Sequence, residues 1–400
     1  MKNKVKIVLK KFFTAFHKVL YFFIRFFQPI RNGRNVLLYC NSDTMEPHIL
    51  DYYSIISDYK TINWYVFYPN LDKEKMSNTF QQMIVSTKVH VIKNRIQLFF
   101  SSFDLIVNAD IFFLPCCNYQ QCPRLYVNHG LHIISYNGGD SLYAYGEGAK
   151  NQFGEPVFTK MFEPNASIVE KVVQNDLSFQ NVIVHTGYKF FEKIEEEMGR
   201  YYFYRQQFGI DDNETFVSIF GSWNKDSLFH VLGPDLLKEA KKLQSSGFRF
   251  MLSIHPREYI RYDDTVEPLG EKIEMSRAEG FLVRSPDEEW LPYLVASDIV
   301  ICDYSSMYEL AIMAKKKLIF SFFPHERVWK HSIAARIFDD MPILKSADEL
   351  SKLLAITKDS PLNPAILKFR EEVKAPKSFK YEEIVRQETE NLLKLKLYKR

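Results

Sequence analysis

Cysteine is scarce and badly placed for cross-linking, with five in 400 residues at Cys40, Cys116, Cys117, Cys122 and Cys302. An odd number at irregular spacing fits no disulfide framework, and no histidine cluster accompanies them at zinc-ligand spacing. A reducing compartment and no structural metal follow. Cys116-Cys117-x4-Cys122 resembles a metal motif only in outline, and a loop is the simpler account. Cys40 and Cys302 lie in apolar runs and read as buried. No G-x-G-x-x-G follows the first strand-like run, so a dinucleotide site of the NAD type is unsupported. No apolar run reaches the ~20 residues of a membrane-crossing helix. Internal repeats and low-complexity segments are also missing.

What is present is an ordinary globular composition, 46% apolar and 25% charged. Four hundred residues exceed what one core usually holds, so two domains are expected. A net charge of +3 is too small to argue for nucleic acid. Outside the N-terminus the charges are mixed, without a basic stripe carrying stacking aromatics, and nucleic-acid binding is disfavoured.

Acid is missing where base is densest. Residues 1–34 hold six lysines and three arginines and no acid, interleaved with Phe12, Phe13, Phe16, Tyr21, Phe22, Phe23, Phe26 and Phe27. His17, Lys18 and Arg25 interrupt the apolar stretch, and no small-x-small site for cleavage follows it. A basic aromatic helix suits the plane of an anionic membrane surface. A helix packed on the protein itself would explain the aromatics but not the missing acids. The expectation is a peripheral arm on an anionic membrane surface.

From Asn35 the pattern is α/β. Val36–Cys40, Asn63–Tyr68, Val89–Ile92, Leu105–Asn108 and Leu125–Asn128 read as strands separated by helical segments. A second series follows, with strands over Phe216–Phe220, Arg249–Ile254, Phe281–Val283, Ile299–Cys302 and Leu318–Phe322. Between them Gly187–Asp212 reads as a helical hinge. The expected domains are 35–200 for the acceptor and 201–380 for the nucleotide donor, with 381–400 a charged helix that returns to the first. Two Rossmann-like domains facing across a cleft define the GT-B arrangement of nucleotide-activated group transferases. Ligands of such sheets bind beyond the carboxyl ends of the strands.

Three strand-end turns carry the chemistry under that rule. Leu125–Asn128 runs into His129-Gly130-Leu131-His132, Met251–Ile254 into His255-Pro256-Arg257, and Ile299–Cys302 into Asp303-Tyr304-Ser305-Ser306. Each has a plainer explanation: His-Gly as a turn, His-Pro as a strand stop, and Ser-Ser with Glu309 as a capped helix. Together they make a site. A histidine titrates near neutrality, so His129 can take a proton from an attacking hydroxyl; His132 is the alternative base. His255 and Arg257 can neutralise a diphosphate leaving group. Ser305 and Ser306, at a helix start with free N–H groups, can hold the same phosphates, and Glu309 one turn on can accept ribose hydroxyls.

These segments, with Thr186-Gly187-Tyr188 and the run Asp298–Ser306, resemble the CDP-glycerol glycerophosphotransferase family of teichoic acid and capsule synthesis. The resemblance spans about residues 105–340, and Asp303-Tyr304-Ser305-Ser306 is its most specific part. It implies a GT-B fold, peripheral membrane association, and catalysis by His129 and His255. It further implies a CDP-glycerol donor held by Gly187, Gly221, Ser222, Arg257, Asp303, Ser305, Ser306 and Glu309. The acceptor is then a hydroxyl of a lipid-linked or glycan molecule, CMP leaves, and no metal or other cofactor is expected. Leu131-His132-Ile133-Ile134 after His-Gly and Lys189-Phe190-Phe191-Glu192 after Thr-Gly-Tyr depart from the family pattern, and Glu309 stands one residue early. Another polyol phosphate, such as ribitol phosphate, therefore remains an alternative donor.

Two other readings compete. A GT-B glycosyltransferase using a CMP-sugar would place its base at Glu147, within Tyr145-Gly146-Glu147-Gly148, although a solvated loop carboxylate explains that residue equally. An inactive scaffold of the same fold would not need histidine, arginine and paired serines at its strand ends.

Overall fold

The computed structural model describes residues 33–41, 45–69, 76–86, 89–110, 122–128, 145, 149–151, 153–259, 266–303, 305–321, 337, 340–376 and 379–394, with Phe16 and Val19. The basic arm thus lies almost wholly outside the described residues. So do Cys116, Cys117, His129, Gly130, His132, Glu147 and Tyr304. Among the described residues, no helix is long and apolar enough to cross a membrane.

The described chain divides into two compact units. One holds the residues up to 128, those of 145–188 and those from 375 onward; the other holds 189–374. The first is built on β1 (Arg34–Tyr39), β2 (Ile62–Phe67), β3 (His90–Ile92), β4 (Leu105–Asn108), β5 (Arg124–Tyr126), β6 (Lys160–Glu163) and β7 (Ile183–His185). All pairings are parallel, in the order β3-β2-β1-β4-β5-β6-β7. Alternation of side chains along a strand that is covered on both faces explains why β1 is apolar from Val36 onward. Val36 and Leu38 enter one core layer with Val66, Leu105 and Val107, while Leu37 and Tyr39 enter another with Phe67, Leu98 and Phe103.

The helix Tyr381–Leu393 belongs to this first unit despite its distance in sequence. Val385 and Leu393 join the layer of Ile49 and Tyr52. Tyr52 Oη and Thr389 Oγ1 share a buried hydrogen bond of 3.0 Å, and Arg386 donates to Asp58 at 2.9 Å.

The second unit repeats the pattern with β8 (Thr215–Phe220), β9 (Phe248–Ser253), β10 (Leu282–Val283), β11 (Ile299–Cys302), β12 (Lys317–Ser321) and β13 (Ile343–Leu344). Its order, β10-β9-β8-β11-β12-β13, is again parallel and reverses direction between β8 and β11. From Lys189 onward the segment expected as a hinge belongs to this unit. Asp298, the acid at the foot of β11, explains why. It accepts from Arg205 Nη1 at 2.8 Å, Tyr201 Oη at 2.5 Å and the Phe216 amide at 2.8 Å, clamping the helix Tyr201–Gln207 to the sheet. Stacking of Phe208 on Tyr293, with centroids 4.3 Å apart, closes the same seam.

Candidate functional site

The reversal between β8 and β11 is where a doubly wound sheet opens a crevice at its carboxyl edge. β8 ends in Gly221-Ser222-Trp223, β9 in Ile254-His255-Pro256-Arg257, and β11 in Asp303 followed by Ser305 and Ser306. A continuous series of contacts links the three turns.

Asp303 is the hub. It is 1% exposed, and its Oδ2 accepts from the Ser222 amide and hydroxyl, both at 2.8 Å, and from the Leu228 amide at 3.0 Å. Its Oδ1 accepts from the Ser305 amide at 3.2 Å. Burial raises its pKa above the usual carboxylate range, against the pull of those four donors. Asp303 therefore holds the β8 turn, the start of the helix Leu228–Gln244 and the serine turn together. Both of its oxygens are committed to its own chain.

Gly221 is glycine for a steric reason, since a Cβ would stand 2.4 Å from Phe229 Cδ2. Beyond it Trp223 faces His255, with ring centroids 6.3 Å apart, and the Arg257 guanidinium lies 4.5 Å above the indole. Such stacking orients a guanidinium without using its fork of donors. The Arg257 amide donates to His255 Nδ1 at 3.2 Å. In the neutral ring this leaves the proton on Nε2, making His255 a donor at that atom. Half-buried His255 and Arg257 thus suit an anionic group better than proton abstraction.

Ser306 begins the helix Met307–Met313, and its side chain makes no capping bond. Ser305 Oγ is buried without a hydrogen-bond partner among the described residues. Glu309 is fully buried in the first turn of this helix. Its carboxylate therefore lies beneath the serine turn and not on the surface.

The remaining candidates fall elsewhere. Gly187 lies in the first unit after β7. It has a φ of +75°, and a Cβ there would stand 2.4 Å from the Ala375 amide nitrogen. Its glycine is explained by that backbone approach. His129 and the alternative bases His132 and Glu147 lie outside the described residues. Among those described, no group of three or more His, Cys, Asp or Glu is placed to hold a metal.

Sequence reasoning missed Glu258. Buried at 4% exposure, it accepts from the Asn224 amide at 3.0 Å and pairs with His230 Nε2 at 3.0 Å. It fixes the far side of the Trp223 turn as Asp303 fixes the near side. Its place directly after His-Pro-Arg was the available signal, but a lone Glu in a turn reads as solvated.

No family model matches the chain, and no curated protein matches it in sequence. Solved structures do match in fold, and they define a GT-B architecture. The wall teichoic acid polymerase TagF superposes with a TM-score of 0.56 at 14% identity, covering 98% of this chain and 97% of that one. A TagF variant soaked with CDPG gives 0.55 at 12% identity, with the same coverage. UDP-GlcNAc 2-epimerase from Neisseria meningitidis, bound to UDP-GlcNAc, gives 0.54 at 14%, covering 90% of this chain and 100% of that one.

Proposed function

We propose that this chain is a GT-B transferase of cell-wall polymer synthesis. It moves glycerol phosphate, or a related polyol phosphate, from a CDP donor to a hydroxyl of a lipid-linked or glycan acceptor. The observation that carries the reading is the pair His255 and Arg257 at the switch point of the second sheet. One is set as an Nε2 donor and the other is stacked on Trp223. Both are aligned to meet charge developing on a departing CMP. Ser305 and Ser306 add hydroxyls at the adjoining turn, and His129 serves as the base for the attacking hydroxyl. Charge on the diphosphate is met by these side chains and not by a metal. TagF, a teichoic acid polymerase of similar fold, supports the substrate class. The basic aromatic arm supports a place on the cytoplasmic membrane face.

The test is CMP release from CDP-glycerol, CDP-ribitol and a CMP-sugar offered separately, with a membrane extract as acceptor and EDTA present or absent. Acceptor-dependent release from a CDP-polyol, insensitive to EDTA, is expected. Arg257→Ala and His255→Ala should each lower it by about 10²-fold or more. Turnover of the CMP-sugar alone would overturn the reading and move the base to Glu147.

A further inference from the structure

Glu163 ties Asn128 to Tyr145, a stem of described residues that in sequence bracket His129. It ends β6 with 0% exposure, and its two carboxylate oxygens reach three separate stretches of chain. Oε1 accepts from the Asn165 amide at 3.0 Å, at the start of the helix Ala166–Asn175. Oε2 accepts from Asn128 Nδ2 at 3.1 Å and from Tyr145 Oη at 2.5 Å. Asn128 and Tyr145 bracket residues 129–144, so both ends of that segment meet at a single oxygen. Tyr145 is itself buried, and burial together with the Glu163 carboxylate raises its pKa well above 10, keeping its proton for this bond.

Hydrogen bonds to a buried carboxylate are among the stronger ones in a fold, and holding both ends of a segment at one atom removes much of its freedom. We infer that Glu163 is a positioning residue for transfer: it fixes Asn128, the residue that precedes His129 in the chain, without touching substrate. The inference rests on the reading of His129 as base. It applies equally to Glu147, which follows Tyr145 by two residues.

Two variants and two readouts test it. Tyr145→Phe removes one donor and leaves the ring, and Glu163→Gln keeps one carbonyl oxygen at the same volume. Hydrogen exchange is followed in peptides over 122–151, with peptides over β8 and β11 as internal controls. Steady-state CMP release is measured on the full chain. Exchange over 122–151 should quicken on the order of tenfold in both variants while β8 and β11 keep wild-type protection. kcat should fall by about 10- to 100-fold with the donor KM unchanged, since the donor groups lie in the other unit. Unchanged exchange over 122–151 in both variants overturns the stem. Quickened exchange with wild-type kcat overturns the positioning role. If the wild-type protein turns over no donor at all, the transferase reading fails, while the exchange result still decides the stem.

Discussion

A carboxylate that accepts four hydrogen bonds from its own chain has little to offer a ligand, and Asp303 is such a group. Asp303→Asn turns an amide NH₂ toward N–H donors and should cost about 2–4 kcal/mol of stability by urea denaturation. Ser305→Ala should stay within about 0.5 kcal/mol of wild type, because its hydroxyl bonds nothing in the described chain, yet it should raise the donor KM. An Asp303→Asn protein of unchanged stability and weakened donor binding would show a contact role instead. Lys316 gives a second prediction at this scale. It is buried, donates to the Val295 carbonyl at 2.7 Å, and burial lowers its pKa from 10.5 to about 7. The unfolded chain therefore binds more protons between about pH 7 and 10.5, and stability rises with pH across that window. The slope is at most about 1.4 kcal/mol per pH unit. Lys316→Met should flatten it in denaturation curves taken across that window; an unaltered slope would show the ammonium to be solvated.

Elements were legible where their chemistry is strong. β8 and β11 are buried at every position, and β1, β2 and β9 are largely apolar or aromatic runs, so each announces itself. Missing from the sequence reading are β6, spelled Lys-Met-Phe-Glu, β7 with three residues and β13 with two. β6 has little strand propensity of its own, and β7 and β13 are too short to stand out, so all three are held by their neighbours in the sheet. The turns after β8, β9 and β11 were legible as polar punctuation at strand ends, but the division of labour within them was not. Asp303 looks like a ligand-facing acid, and Glu258 like a solvated one, until their long-range partners are known. The two glycines make the same point. Gly221→Ala presses a Cβ against the Phe229 ring, which can shift, and should cost about 1–3 kcal/mol. Trimming the ring in Gly221→Ala/Phe229→Leu should recover part of that. Gly187→Ala meets the Ala375 backbone at a φ of +75° and should cost more, with no side chain to trim. Donor KM separates the sites further: it should move for Gly221→Ala, beside the Trp223 turn, and stay for Gly187→Ala.

At the scale of the whole molecule, length and alternation sufficed for two parallel α/β units, because each sheet needs a dozen or more residues of crossover between strands. The chain's return to the first unit was expected of the helix at 381–400, whereas the residues it packs on were not legible. The first unit is closed by residues from 375 onward, after the chain has built all of the second. The helix Tyr381–Leu393 carries Val385 and Leu393 into the core of the first unit, bonds Tyr52 through Thr389 and pairs Arg386 with Asp58. Two fully buried aliphatic side chains contribute roughly 3–6 kcal/mol, and the Tyr52 bond about 1 kcal/mol more. A chain ending at Lys380 should therefore lose protection selectively. In hydrogen exchange, peptides over β1, the helix Glu46–Ile56 and β4 should quicken toward the rates of an open state. Those over β8, β9 and β11 should keep theirs. Adding the peptide 381–400 in trans should restore the first set, since the groove it leaves is lined by Ile49, Tyr52 and Ile56. Equal loss across both units would mean that the helix supports a single cooperative fold, and the two units would then have to be treated as one thermodynamic body.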